Sequence, residues 1–259
     1  MQKITTKKIL KKKGKIPITC LTAYTKPIAE IVDKYCDIIL VGDSLGMVLY
    51  GMKTTREVKI ETMILHGKAV KNSTKKSLVV FDMPYNTYTN KIVAYNNAKK
   101  IIKLTKCDAV KLEGGKKITK IIKHLTKKGI PVMGHVGLLP QTSTKFITKG
   151  KSFNQKKEIF EDAIAVSDSG AFAVVIECVV ENLAKKITQS VPIPTIGIGA
   201  SMHCDGQILV TDDLLGLSDF TPKFVKQYSN LKRIIEKSVK NYCRDVKLRR
   251  FPSYKNIYK

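Results

Sequence analysis

Eight short runs of Val, Ile and Leu punctuate this chain, and most are separated by longer, lysine-rich amphipathic stretches. The runs are Ile16–Leu21, Asp37–Val41, Leu78–Phe81, Ala109–Leu112, Pro131–Gly134, Ala171–Ile176, Pro194–Gly197 and Gln207–Val210. They are apolar almost throughout rather than alternating with polar residues, as parallel strands covered on both faces are. The intervening segments carry helical spacing. IAEIVDKY puts Ile28, Ile31, Val32 and Tyr35 on one stripe, and AYNNAKKIIKL and KEIFEDAIAVSDSG repeat the pattern, the last ending at Gly170. Asn90 and Asn154 stand where helix N-caps are expected. Buried strands alternating with helices predict an α/β fold, a (β/α)8 TIM barrel. A chain of 259 residues suits one such barrel as a single domain over 1–259. It would carry a basic segment at 1–15 and, over 223–259, a C-terminal helix (Lys223–Tyr242) and basic tail. Two features break the regularity. The Ile198–Gly206 link is too short for a full helix, and the Met47–Thr55 and Leu138–Ser152 connections are long and polar enough to be lids.

In a barrel, chemistry sits at the C-terminal ends of the strands. The second run leads into VGDSLGM, which places Asp43 and Ser44 between Gly42 and Gly46. Asp and Ser are good N-caps, so a helix start is one reading. A metal or substrate site, where glycines let the backbone turn close to a ligand, is the other. The third run ends at Asp82, the fourth carries Lys111 and ends at Glu113, the fifth ends at His135 and the sixth at Glu177. Carboxylates crowded into one mouth repel each other unless a cation compensates. An oxygen donor set with no His or Cys cluster points to a hard ion, Mg²⁺ or Mn²⁺. Asp43 and Asp82 are the direct ligands on this reading, and Glu113 binds directly or through water. Lys111 and Glu113 share a strand face; Lys111 pairs either with a substrate carboxylate or with Glu113 as a structural ion pair. Glu177 is left as a general base, its pKa raised by burial beside Val175 and Ile176. His135 belongs to the mouth or is a satisfied rim histidine. His66 reads as core or surface, and His203, in a loop beside Cys204 and Asp205, as a weak metal hint.

The net charge of +26, from 47 Lys+Arg against 21 Asp+Glu, raises the question of nucleic acid. Nucleic-acid readers lean on Arg, and here Arg occurs only at Arg56, Arg233, Arg244, Arg249 and Arg250. The lysines are spread along the helical stretches, as a solvated surface is. Nucleic acid is therefore not the expected partner, with the tail from Lys232 to Lys259 the one place where an RNA or membrane contact stays open. No run of about 18 apolar residues exists to span a membrane. The N-terminus MQKITTKKILKKKGK has no apolar h-region after it, the strand-like IPITCLTAY following at once, so it is not read as a secretory signal; an amphipathic targeting segment is the alternative. The 6 cysteines are scattered without a C-x-x-C pair and read as reduced thiols of a cytoplasmic protein.

VGDSLGM, VFDMPY, AVKLEGG, GHVGLLPQ, VIECV and PTIGIGAS with CDGQILV occur in the order and spacing of the ketopantoate hydroxymethyltransferase family. The chain resembles that family from Ile16 to Tyr228, TPKFVKQY included. The resemblance implies a (β/α)8 barrel that binds Mg²⁺ and the ketoacid 3-methyl-2-oxobutanoate (α-ketoisovalerate). It implies transfer of a one-carbon unit from 5,10-methylenetetrahydrofolate, giving ketopantoate for pantothenate and coenzyme A. By motif position, Asp43, Asp82 and Glu113 match the metal site. Asp43, Ser44, Asp82 and Lys111 match the ketoacid site, Glu177 the proton acceptor, and His135 a residue near the mouth. The resemblance also implies a large homo-oligomer, often a decamer. In this chemistry the ion, chelated by the keto and carboxylate oxygens, stabilises the enolate formed when the C3 proton leaves. Ser44 and Lys111 would hold the carboxylate end so that C3 faces the incoming carbon.

Two segments depart from the family pattern. After GHVGLLPQ the family often carries paired glycines and an arginine, where this chain reads KFITKGKS, and Ser201 replaces the last glycine of GIGAG. No catalytic match is substituted. The competing enzyme reading is a Mg²⁺-dependent lyase or mutase on the same barrel. Such enzymes usually carry a Cys in a K-K-C-G-H-like loop, which this sequence lacks.

Overall fold

The computed structural model describes residues 2–143, 145–218 and 221–258. One compact unit spans Met1–Val210 and a second Thr211–Lys259. In the first, the β-branched runs become strands β1 (Ile18–Thr22), β2 (Ile38–Val41), β3 (Leu78–Asp82), β4 (Ala109–Glu113), β5 (Val132–Gly137), β6 (Ala173–Glu177), β7 (Thr195–Ile198) and β8 (Gly206–Leu209). They close into a barrel in sequence order, with β8 returning to β1 and the pairs parallel. The helices of this unit are α1 (Thr6–Leu10), α2 (Lys26–Tyr35), α3 (Leu45–Tyr50), α4 (Ile60–Asn72), α5 (Lys91–Thr105), α6 (Thr119–Lys127), α7 (Phe153–Asp168) and α8 (Glu181–Ser190). The second unit carries α9 (Thr211–Leu214) and α10 (Leu231–Lys247). No helix among the described residues is long and apolar enough to cross a membrane.

Strand residues alternate between two cores. Ile39, Val41, Val79, Phe81, Val110 and Leu112 point outward and pack under the helices. Ile38, Leu40, Leu78, Val80, Ala109 and Met133 point inward and fill the barrel. Along the inward rows of β3, β4 and β5 the character changes from apolar to charged: Leu78 and Val80 lead to Asp82, Ala109 to Lys111 and Glu113, and Met133 to His135. The barrel is thus sealed in its lower part and ionised at its C-terminal mouth.

The basic N-terminal segment closes the opposite end. Ile4 and Ile9 join the inner core, Ile9 with 0% exposure. Three lysines around them pair with acids that precede strands: Lys3 with Asp108 at 2.7 Å, Lys12 with Asp37 at 2.6 Å and Lys13 with Asp205 at 2.8 Å. A segment that reads as a charge run is a plug with an apolar tip.

Several boundaries differ from the sequence expectation. Pro131 and Pro194, which have no N–H for a ladder, precede β5 and β7 rather than open them. β5 runs on to Gly137, so His135 lies inside the strand. Ser152, not Asn154, caps α7, its hydroxyl accepting from the Gln155 N–H. On α2 the buried stripe is Ala29, Val32 and Asp33, while Ile31 and Tyr35 face outward. The proposed lid at Met47–Thr55 is partly helical: α3 runs to Tyr50 and stops at Gly51, whose φ of 65° a glycine adopts without strain. The C-terminal helix starts at Leu231 rather than Lys223, because Asn230 caps it by accepting from the Arg233 N–H. As expected, β7 and β8 are joined without a helix.

Candidate active site

The closed register sets the charged residues side by side. Asp82 pairs with Lys111 across β3 and β4, Glu113 with His135 across β4 and β5, and Gly137 with Glu177 across β5 and β6. Asp43 follows β2 directly. Asp43, Asp82, Lys111, Glu113 and His135 are all buried. Glu177 stands at the edge, its side chain 15% exposed. Glu177 is largely buried on the strand face it shares with Val175, while Ile176 points to the outer core and the Glu177 carboxylate faces His135.

Lys111 is the electrostatic centre. Its ammonium donates to both Asp82 oxygens at 2.9 Å and to Glu113 Oε1 at 3.4 Å. Burial opposes its charge, but Asp82, Glu113 and Asp43 outweigh burial and raise its pKa above the ordinary lysine value. Burial likewise pushes the Glu113 carboxyl up, yet Lys111, His135 and the Gln141 N–H hold it at about 2. For Asp43 the relief from Lys111 and the Gln141 amide is outweighed. Burial, then repulsion from Asp82 and Glu113, drives its pKa well above the carboxylate range. Asp82 is also raised, burial and Glu113 outweighing Lys111.

His135 sits between two carboxylates, its Nδ1 3.5 Å from Glu113 Oε1 and its Nε2 3.3 Å from Glu177 Oε2. Neither ring nitrogen makes a well-directed hydrogen bond to the protein. The sequence left open a satisfied rim histidine; this one is buried within the acid cluster. Ser44 begins α3 without its side chain capping the helix; its hydroxyl meets the Tyr24 hydroxyl at 2.8 Å. His66 is occupied elsewhere, its Nδ1 2.6 Å from the Tyr24 carbonyl oxygen and its Nε2 2.9 Å from the Tyr50 hydroxyl. The His203 Nε2 lies 3.9 Å from Glu181, away from the cluster.

Three contributors escaped the sequence reading. Gln141, at the end of GHVGLLPQ, has 0% exposure and touches both Asp43 and Glu113. The Tyr88 hydroxyl donates to the Gln141 side-chain oxygen and accepts from the Glu113 N–H at 3.3 Å. Arg56 donates from Nε to the Gln141 carbonyl at 2.9 Å. The quoted motif ended on Gln141, but nothing in its spacing said where the side chain would go.

The donor set fits a divalent cation. Asp43, Asp82 and Glu113 each offer a carboxylate oxygen, and these atoms lie within 4.8 Å of one another. Three buried carboxylates face the Lys111 ammonium, with His135 beside Glu113, and burial followed by repulsion from Asp82 and Glu113 raises the Asp43 pKa. Hard oxygen donors without sulfur suit Mg²⁺ or a similar ion.

Comparison with known proteins adds a family to this geometry. The family model described as ketopantoate hydroxymethyltransferase matches residues 3–254. The 3-methyl-2-oxobutanoate hydroxymethyltransferase of Pelagibacter ubique (strain HTCC1062) is 54% identical over 97% of this chain and 99% of its own. That of Phenylobacterium zucineum (strain HLK1) is 50% identical over 100% of this chain and 95% of its own. Among solved structures, phosphonopyruvate hydrolase in complex with oxalate and Mg²⁺ superposes with a TM-score of 0.63 at 12% identity, covering 98% of this chain and 93% of the other. A 2,3-dimethylmalate lyase of the PEP mutase/isocitrate lyase superfamily gives 0.63 at 12% identity, covering 97% and 87%. At those identities the likeness is one of fold alone, a closed parallel barrel.

Proposed function

The chain belongs to the ketopantoate hydroxymethyltransferase family and catalyses hydroxymethyl transfer to 3-methyl-2-oxobutanoate, forming ketopantoate in pantothenate biosynthesis; on that premise we propose how its residues divide the work. Asp43, Asp82 and Glu113 hold Mg²⁺, and the observation that carries this is their buried, under-compensated clustering. When bound, the ion supplies a Lewis acid for the ketoacid oxygens. Ser44, positioned by Tyr24, orients the ketoacid carboxylate through its hydroxyl. Lys111 is committed to Asp82 and Glu113, so its part is a fixed positive charge beside the site where negative charge develops. The Glu177 carboxylate takes the proton from C3. His135 holds that carboxylate and places a second positive charge behind it. The buried walls keep water from the enolate until 5,10-methylenetetrahydrofolate delivers the one-carbon unit. As the family resemblance implies, the enzyme works as a cytoplasmic homo-oligomer, a decamer on that pattern.

Proton exchange at C3 of 3-methyl-2-oxobutanoate in D₂O, followed by NMR with Mg²⁺ and then with EDTA, tests this reading. We expect exchange with Mg²⁺ and none with EDTA, and ketopantoate once the folate is added. Exchange that ignores EDTA would remove the metal from the account. Exchange without product would locate the fault in folate engagement and in the KFITKGKS segment.

A further inference from the structure

Gln141 lies on the connection after β5 yet is bonded to residues of three other strand ends. Its backbone N–H donates to Glu113 Oε2 at 3.0 Å. Its side-chain amide donates to Asp43 Oδ2 at 2.8 Å and to the Met83 carbonyl at 2.9 Å. Its side-chain oxygen accepts from the Tyr88 hydroxyl. The Met83 carbonyl can only accept, so the end of the side chain that faces it and Asp43 must be the amide donor, which leaves the oxygen for the Tyr88 hydroxyl. The two carboxylates it touches are two of the three that form the cation cluster.

The backbone of this connection is held in turn from outside the barrel. Arg56 lies on the turn after α3. Its Nε donates to the Gln141 carbonyl at 2.9 Å, its terminal nitrogen reaches the Ser143 carbonyl at 3.4 Å, and its guanidinium lies 5.8 Å from the centre of the Tyr85 ring. One exposed arginine, immediately after the Met47–Thr55 connection, is therefore tied to the Leu138–Ser152 connection.

We infer that Gln141 is a positioning residue that presets Asp43 and Glu113 for a divalent cation, and that Arg56 holds Gln141 in place. The inference rests on the cation reading of the acid cluster given above. A carboxylate steered by a fixed donor loses the freedom to turn away from the ion, and loss of such an outer partner typically weakens metal binding about 10- to 100-fold. Arg56 acts one step further out and without burial, so its loss should weaken binding less and leave the fold intact.

The test is Mn²⁺ titration of EDTA-stripped enzyme, reading free Mn²⁺ by electron paramagnetic resonance, with no substrate present. Wild type, Gln141→Ala, Tyr88→Phe and Arg56→Ala are compared, each with its thermal midpoint. We expect a Kd raised about 10- to 100-fold in Gln141→Ala. A severalfold rise is expected in Tyr88→Phe, and in Arg56→Ala at an unchanged thermal midpoint. Should Gln141→Ala fail to fold, Arg56→Ala still decides. Mn²⁺ binding within twofold of wild type in a folded Gln141→Ala, or in Arg56→Ala should Gln141→Ala not fold, overturns the inference and leaves the cation site standing. A wild-type enzyme that turns over but takes up no Mn²⁺ overturns the cation reading itself, and this inference with it.

Discussion

His135 Nε2 lies 3.3 Å from Glu177 Oε2, so the proposed base is backed by a buried imidazole that has Glu113 on its other side. Burial and the Lys111 charge pull the imidazole pKa down, but Glu113 and Glu177 outweigh them and hold it at about 9, above the ordinary histidine value of 6.5. Folding thus strengthens proton binding here. The resulting stability is fully present below pH 6.5 and is lost as pH rises through about 9. In EDTA, urea unfolding of the wild type should lose on the order of 2 kcal/mol across that window. His135→Gln, which cannot take the proton, should show a flat profile there. An equal loss in the variant would mean that another group titrates.

Glu177→Gln keeps the side-chain shape and removes the proton acceptor. Mn²⁺ and ketoacid binding should stay near wild type, since the cation cluster is built from residues on β3 and β4 and after β2. C3 exchange should slow by about 10² to 10⁴-fold, the range a positioned base contributes. Exchange at the wild-type rate would remove Glu177 from the base role.

Asp82→Ala should fail in two separable ways. It removes both carboxylate oxygens bonded to the Lys111 ammonium, which is 4% exposed and keeps only Glu113 at 3.4 Å. Breaking a buried pair from one side costs about 3–5 kcal/mol. Turnover should disappear as well, because a ligand of the cluster is gone. The double variant Asp82→Ala/Lys111→Met takes away the stranded charge, so chemical denaturation should show most of the stability recovered while turnover stays absent. Recovery of both would show that Asp82 serves only to neutralise Lys111.

The sequence exposed the strand-end residues because a strand alternates strictly: once Lys111 and Glu113 share a face, the barrel register alone brings Asp82 and His135 beside them. The connections follow no such rule. Gln141 reaches Asp43 across 98 positions, and Arg56 reaches Gln141 across 85. Those paths depend on how two loops settle over a finished barrel. The same holds at the opposite end, where Lys3 and Lys13 find Asp108 and Asp205 at separations of 105 and 192. A lysine-rich run looks solvated until its acids are brought to it. On α2 the expected stripe is half right for a related reason: Ile28 and Val32 pack on the core with Ala29, so the buried face is rotated away from Ile31 and Tyr35.

The N-terminal plug should therefore contribute to stability out of proportion to its place in the chain. Ile9→Ala should cost about 2–5 kcal/mol, the range for a fully buried aliphatic side chain. Lys13→Met should alter the acid limb of stability. Burial raises the Asp205 pKa, but Lys13 and the N–H groups of Thr195 and Gly14 outweigh it, so the folded carboxyl sits below 3.8. That stabilisation is present above the ordinary value and lost as pH falls through the folded one. Between about pH 5 and 2 the Lys13→Met protein should lose less stability than wild type. Parallel acid limbs would show that the backbone donors alone set Asp205.

Gly137 tests whether the Glu177 backbone must be where it is. Its φ is 95°, and a Cβ there would lie 2.4 Å from the Glu177 carbonyl oxygen and 2.6 Å from a Val179 methyl. The carbonyl has no easy retreat, because it accepts from the Leu138 N–H at 2.9 Å. Gly137→Ala must then shift β6 at its end, where Cys178 already holds a left-handed φ of 50°. Asp43, Asp82 and Glu113 sit on other elements and should keep their Mn²⁺ affinity. A misplacement of about 1 Å in a reacting group costs on the order of 10²-fold in rate, so kcat should fall by that order with Mn²⁺ binding unchanged. If Mn²⁺ binding fell in step with kcat, the substitution would be disturbing the whole mouth, and the Glu177 carboxylate could not be credited with the lost rate.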